Sequence, residues 1–427
     1  MLKMSCLEQF YRASLTEKTI LLMAAFPILP YALRSVSIGL FLLAGLSQFK
    51  LRTIPSREWL RFFGAFTLGY FALTLSLGIT SDMDSGFNEL GQLAALVLIP
   101  LGFLLLKDKL TSDLIRLFKM IFVVSCFLLI SYQVVQIIWH WETVFGAITE
   151  AEVIAFNLDL LVSVPDFLVD RVLGHRLREF TIAVTDTHPT YQALWLVISV
   201  LFIMKSWVNQ PMKKWYLALL IGTACFWVYF IGSRMGQLGM ALIIGSLLFT
   251  QIADLRIKLG IYILLIMGLL AMYQHPRFQE IAQGFNPSIS ADHIAHYNSS
   301  NVRLAVWHCT IETVKTNVWL GTGVGDLQAV LNLCYKTTFN APVFTWTNYN
   351  THNQYLHFWA SAGLFGLLSL FFQCFLLGRY FFKNKRFVAI SVLMVTLLFM
   401  MTENILVRSD GIHFFTTFMA IFFYAKR

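Results

Sequence analysis

The sequence predicts an all-α integral membrane protein of about twelve transmembrane helices. Three observations support that class. Hydrophobic residues make up 57% of the 427 residues and charged residues only 13%, where a soluble domain is about a quarter charged. The apolar residues gather in runs close to the length that crosses a bilayer. The basic residues gather between alternate runs.

The apolar runs centre on Leu22–Tyr31, Ile38–Leu46, Phe63–Ile79, Leu90–Leu106, Phe118–Ile138, Tyr191–Trp207, Leu217–Ile231, Met235–Thr250, Leu259–Met272, Leu356–Leu377, Val388–Met401 and His413–Tyr424. The first two are short, and Pro30 interrupts the first. About 22 of the 32 Lys and Arg residues fall on one side of this arrangement, which places both termini in the cytoplasm by the positive-inside rule. The formal charge of +9 is therefore a topology signal. It forms no single basic patch, which argues for membrane lipids and against nucleic acid as the partner. His357 and Gln373 are the main polar residues within the runs. That scarcity argues against a proton-coupled transporter or ion channel, which needs intramembrane charge.

Residues 1–427 read as a single polytopic membrane domain. Two connections on the non-cytoplasmic side are long, 139–188 and 274–351, the latter between the ninth and tenth spans. The 274–351 insert is rich in Trp, Tyr and Phe and has no charge runs, so it is expected to fold and to carry function. Within it, Asn301–Trp319 reads as an amphipathic helix with Val302, Val306, Cys309 and Thr313 on one face. The six cysteines show no metal-ligand spacing. Cys309 and Cys334 share the insert, where an oxidising compartment allows a disulfide; the alternative is two small buried hydrophobes.

Several residues have candidate chemistry. Arg234 lies in Ile231-Gly-Ser-Arg-Met-Gly236, with Ser233 as the expected N-cap. A cation in the first turn opposes the helix dipole. It reads as a ligand for a phosphate, with snorkelling to lipid head groups as the alternative. Arg303 has Trp307 one turn along, close enough to stack on its guanidinium; an ordinary surface arginine is the other reading. His352 is expected to open the tenth span, where the helix N-terminus and nearby arginines keep its ring neutral and able to accept a proton from a hydroxyl; a histidine that only caps the helix by hydrogen bonding is the other reading.

The Gly321-Thr-Gly-Val-Gly325 sequence fits neither the P-loop nor the dinucleotide fingerprint and reads best as a tight turn. Asp82 and Asp84 form a DxD that reads as an acidic turn rather than a metal site. His188 and Tyr191 begin the sixth span much as His352 begins the tenth. Glu403, Arg408 and Asp410 read as solvated charges in the last outer turn.

Together these pieces resemble the O-antigen ligase and polymerase superfamily of bacterial inner membranes. The resemblance rests on Gly232-Ser-Arg234, Arg303 with Trp307, Gly321-Thr-Gly-Val-Gly325, His352-Asn-Gln-Tyr-Leu356 and Ala362-Gly-Leu-Phe-Gly366. It covers the chain from His188 onward. It implies a GT-C-like membrane fold with a periplasmic active site, in which Arg234 and Arg303 bind a diphosphate and His352 deprotonates an acceptor hydroxyl. The further candidate substrate contacts are Trp307, Asn353, Tyr355, His188, Tyr191, Gly323 and Gly325. The implied donor is a glycan on undecaprenyl diphosphate, and the implied acceptor is the lipid A-core; no cofactor or metal is expected. No pair of nearby carboxylates is visible for a covalent intermediate, so inverting displacement is expected. The alternatives are a polymerase that extends a lipid-linked glycan, and a non-enzymatic glycolipid flippase.

Overall fold

The computed structural model describes residues 6–49, 54–149, 166–207, 214–251, 256, 259, 263, 266, 267, 299–341 and 343–425. Every regular element among them is a helix. The expected ninth span Leu259–Met272, residues 150–165 of the first insert and residues 274–298 of the second fall outside the described residues, apart from isolated positions in the ninth span.

Four helices are long and apolar enough to cross a membrane: Ser56–Ile79, Met83–Leu105, Ser112–Trp139 and Gln354–Lys383. Val172–Thr185 and Pro189–Lys205 are long and apolar enough only when taken together, as a pair bent by 79°. Tyr31–Ser47, Trp215–Phe230 and Phe387–Phe399 are apolar but shorter. Among the described residues, length and composition thus support four or five full spans of the twelve expected. Yet each expected span outside the ninth falls on a helix, with one exception. Leu22–Tyr31 is helical only at its start, because Leu15–Leu22 ends there and consecutive turns follow to Pro30. Pro27 and Pro30 lack the N–H groups that a helix would need.

The chain divides into two compact units. Unit 1 comprises residues 1–125, 306–338 and 344–427, and unit 2 residues 126–305 and 339–343. In unit 2, every residue from Pro189 to Met204 is buried, and this central helix packs against Lys214–Phe230 and Arg234–Gln251. Gly236 permits the second contact, since a Cβ there would stand 2.5 Å from that of Ala193.

In unit 1, the terminal helix Ser409–Tyr424 is buried from Asp410 to Phe423 and packs on Ala95–Leu105. Phe122 meets Phe418 edge-on at 4.7 Å, a geometry that adds to simple burial. Asp410 is not a solvated charge. It forms a buried ion pair with Arg34, because a lone carboxylate at that depth would carry a large desolvation cost. The helix Ser56–Ile79 contains a π-helical turn at Phe63–Thr67. Just beyond it, Gln373 Oε1 accepts from the Gly69 amide at 3.1 Å. Gln373 thus satisfies a backbone group that lipid could not.

The helix Gln354–Lys383 has 30 residues, about 45 Å at 1.5 Å per residue, well over the roughly 30 Å hydrocarbon core. It is broken at Ala362–Gly363, where Gly363 adopts φ 63° and ψ −161°. The glycine turn after helix Ser299–Thr316 inserts into that break. Thr322 N donates to Ala360 O at 2.8 Å, Gly323 N to Ser361 O at 3.0 Å, and Leu364 N to Val318 O at 2.9 Å. On the other side of the turn, Cβ atoms at Gly323 and Gly325 would stand 2.3 Å from Thr80 Oγ1 and Asp82 O. The turn is therefore wedged between two backbones, and its glycines allow that approach.

The amphipathic helix in the second insert is present as Ser299–Thr316, and Val302, Val306, Cys309 and Thr313 are all buried. Cys309 and Cys334 form a disulfide. Gly363→Ala tests the wedge: its backbone region is close to glycine-only, and a Cβ would stand 2.1 Å from Trp319 O. The expected cost is about 2 kcal/mol or more, seen as a lowered thermal midpoint of the purified protein.

Candidate active site

The candidate residues divide between the two units. In unit 2, Arg234 is the first residue of helix Arg234–Gln251. Ser233 Oγ accepts from Gly236 N at 3.3 Å, and Ser233 O accepts from Gln237 N at 2.9 Å, so Ser233 is the N-cap that the sequence predicted. Gly232, at φ 62°, turns the chain into it. Arg303 lies one turn inside Ser299–Thr316 and is half-buried. His188 precedes Pro189–Trp207. Its Nδ1 accepts from Thr190 N at 3.3 Å, and its Nε2 lies 3.3 Å from Arg178. Tyr191 does not present a surface to substrate: it is 1% exposed and belongs to the packed interior.

In unit 1 the His352-Asn-Gln-Tyr-Leu356 segment is laced to the turn after helix Phe387–Phe399. His352 does not open the helix; Asn353 is its N-cap. Asn353 Oδ1 accepts from Tyr355 N and Leu356 N, both at 3.0 Å, while its Nδ2 donates to Met401 O at 3.0 Å. Gln354 N donates to Met400 O at 2.9 Å, and Gln354 Oε1 accepts from Leu406 N at 2.5 Å. Thr351 Oγ1 donates to Asn404 Oδ1 at 3.0 Å. Tyr355 donates its hydroxyl to Leu397 O at 2.9 Å and stacks on Phe371 at 5.3 Å. Asn353 and Tyr355 thus hold the scaffold together; their polar atoms are already taken by backbone, which removes the reason for expecting them as substrate contacts.

The lacing leaves His352 in a special position. Its backbone is left-handed, at φ 43°, and its amide donates to Asn350 Oδ1 at 3.1 Å. Its Nδ1 lies 3.4 Å from Glu403 Oε2, with side-chain exposures of 21% for the histidine and 7% for the glutamate. The expected cationic surroundings are thus replaced, at this nitrogen, by a carboxylate. A carboxylate can only accept, so it favours the tautomer with the proton on Nδ1 and leaves Nε2 as the base. Sequence reasoning took Glu403 for a solvated charge. Its partner is 51 positions away, and nothing local marks it.

The glycine turn that holds Gly323 and Gly325 is the tight turn its sequence reads as. The Gly323 amide is taken by Ser361 O, so this turn packs rather than cradles a phosphate. Trp307 is on the same helix as Arg303, one turn along. Asp82 of the DxD caps helix Met83–Leu93; hydrogen bonds from the Ser85 amide and hydroxyl hold its carboxyl below the usual carboxylate range.

The O-antigen ligase family model matches residues 217–371. That match supports the O-antigen ligase superfamily, which the motifs resemble. No curated protein matches it. The matched segment contains Arg234, Arg303, the glycine turn, His352 and Gly363, and so every motif behind the resemblance. Together with the apolar helices, the match implies a multi-pass bacterial membrane protein. The superfamily is one of glycosyltransferase-like enzymes working on lipid-linked glycans and lipid-linked acceptors.

The role found for Asn353 is testable. Asn353→Ala should cost about 1 kcal/mol, the usual cost of losing an N-cap, as a drop in thermal midpoint that Asn353→Asp largely restores. A changed substrate KM with unchanged stability would instead make it a substrate contact.

Proposed function

We propose that this protein is the O-antigen ligase, transferring a glycan from undecaprenyl diphosphate to the lipid A-core at the periplasmic face of the inner membrane. The observation that carries the reading is the His352–Glu403 pair, 3.4 Å apart, inside a segment that joins the family's matched region to the last outer turn. In the proposed step, His352 Nε2 takes the proton of an acceptor hydroxyl as its oxygen attacks the anomeric carbon. The bond from that carbon to the diphosphate oxygen breaks, and the lipid diphosphate leaves with the electron pair. A hydroxyl is a poor nucleophile and gains most from a positioned base. Glu403 orients the ring and offsets the charge it acquires, as a buried carboxylate does for a catalytic imidazole.

Arg234 and Arg303 are assigned to the diphosphate. Arginine matches phosphate oxygens with two parallel donors and stabilises the charge that grows on the leaving group. Those two charges supply the stabilisation needed, so the step as written uses no metal and inverts the anomeric centre. The Cys309–Cys334 bridge supports an oxidising compartment for the second insert, in agreement with the basic-residue bias that places both termini in the cytoplasm.

The test is a gene deletion rescued with wild type, Arg234→Ala, Arg303→Ala, His352→Ala or Glu403→Gln. A ligase predicts loss of the long lipopolysaccharide ladder with lipid-linked polymer accumulating. Collapse of polymer length to single repeats would make the protein a polymerase, and a full ladder from all three alanine variants would remove the assignment. With purified protein, His352→Ala should lower kcat by on the order of 10²–10⁴. Glu403→Gln should lower it by about tenfold or more, alter the pH profile and leave KM little changed.

A further inference from the structure

A groove in unit 1 has no part in the chemistry above. It has a volume of about 380 Å³ and lies between the turn that follows Ser56–Ile79 and the 317–330 segment. Its walls are fixed from three directions. The Cys309–Cys334 bridge closes the stretch of chain that supplies most of the lining. Thr322 is hydrogen-bonded into the helix break through Ala360 O. Asp326 stands at the start of helix Leu327–Cys334, yet its carboxylate accepts from the amides of Ser81 and Asp82 at 2.6 and 2.8 Å. Walls built in this way need little ordering when a ligand enters, which favours affinity.

The lining chemistry selects the ligand. The polar residues are Ser81, Asn317, Thr322 and Asp326, and none of the lining side chains is Lys, Arg or His. Asn317 donates its amide protons to Thr313 O and Thr316 Oγ1, which leaves its carbonyl oxygen to accept. Thr322 donates its hydroxyl to Ala360 O at 3.1 Å and keeps lone pairs. The Asp326 carboxylate has acceptor capacity beyond its two amides. An acceptor-rich wall with a carboxylate repels phosphates and carboxylates and suits a ligand rich in hydroxyl donors. Leu320 and Val330 add apolar surface; Trp319, next before Leu320 in the chain and 72% exposed, is outside the lining itself but carries a flat face of the kind that covers the C–H side of a sugar ring.

We propose that this groove is a sugar subsite that takes an uncharged pyranose of the glycan, away from its phosphate-bearing end. The assignment of that glycan to a transferase substrate rests on the function proposed above. The groove connects to the base through one short helix: in Leu327–Cys334, Gln328 Nε2 donates to Tyr349 O at 3.0 Å and Asn332 Nδ2 to Asn348 Oδ1 at 3.1 Å, just before His352. The ring could belong to the lipid-linked donor or to the acceptor oligosaccharide.

The test uses the full chain in lipid nanodiscs and three variants: Trp319→Ala, Trp319→Phe, and Asn317→Ala combined with Thr322→Val. The probe is the oligosaccharide released by mild acid from the host's own lipid-linked glycan, alongside the core oligosaccharide from its lipopolysaccharide. One of the two should bind wild type and lose about tenfold in affinity to Trp319→Ala and to the double variant, with Trp319→Phe close to wild type. Oxidising the primary hydroxyls of that sugar to carboxylates should weaken wild-type binding by a similar factor. In turnover, KM should rise for the substrate that supplies the ring and stay for the other, with kcat kept.

Absence of wild-type binding to both oligosaccharides, variants that bind as well as wild type, or an oxidised sugar that binds equally well would each overturn the proposal. Should the double variant fail to fold, the exposed Trp319 pair and the oxidised sugar still decide the outcome. Binding needs no turnover, so a failed groove with intact transfer is distinguishable from a failed transferase reading with intact binding.

Discussion

The lacing of Thr351–Gln354 to Met400–Leu406 is the constraint on which the rest of the candidate chemistry depends. Helix Gln354–Lys383 and the turn beyond Phe387–Phe399 are joined by side chains that each serve a structural purpose: Asn353 caps one and bonds the other, and Gln354 supplies both a backbone donor and a side-chain acceptor. Between those ties lies His352, held in a left-handed backbone conformation with its ring against a buried carboxylate. A base must be held close to its productive geometry to be effective. Here the neighbouring residues on both sides are fixed by hydrogen bonds, so the histidine has little freedom left.

A second layer of order comes from the break in that same helix. Interrupting a helix within a membrane protein exposes carbonyl and amide groups that lipid cannot satisfy. The glycine turn meets the need by inserting its own amides, and each glycine in it lies where a side chain would collide with backbone. The turn thereby anchors Asp326 and Thr322, and with them the walls of the groove. A motif that resembles a ligand-binding loop acts first as a structural plug, and the recognition surface is built beside it.

What was legible in the sequence follows from the range of each interaction. The Val302–Thr313 face could be read because a 3.6-residue period is written locally, and Ser233 could be read as a cap because its acceptor role spans three residues. The Pro30 interruption of the first apolar run was also local, though with Pro27 close by its effect was larger than one break in a span. Glu403 and Asp410 looked alike, two acids in an outer turn. Only packing separates them, one turned to His352 and the other to Arg34, 376 positions away. Asn353 and Tyr355 stand beside the histidine with their polar atoms engaged by backbone; sequence shows adjacency without showing which hydrogen bonds are already taken. Apolar length marked where helices lie but not how long they run, since a run of hydrophobic residues packs equally well as a short or bent helix.

The bridge between Cys309 and Cys334 has a consequence for how the molecule is born. It joins two segments separated by 25 residues that flank the glycine plug, and thiols pair durably only in an oxidising compartment. Hydrophobic insertion of the helices and covalent closure of this loop are therefore distinct events with different chemical requirements. A chain threaded in the opposite orientation would keep both thiols reduced and its plug unsecured. Closure of the loop is thus tied to the compartment that the two cysteines reach.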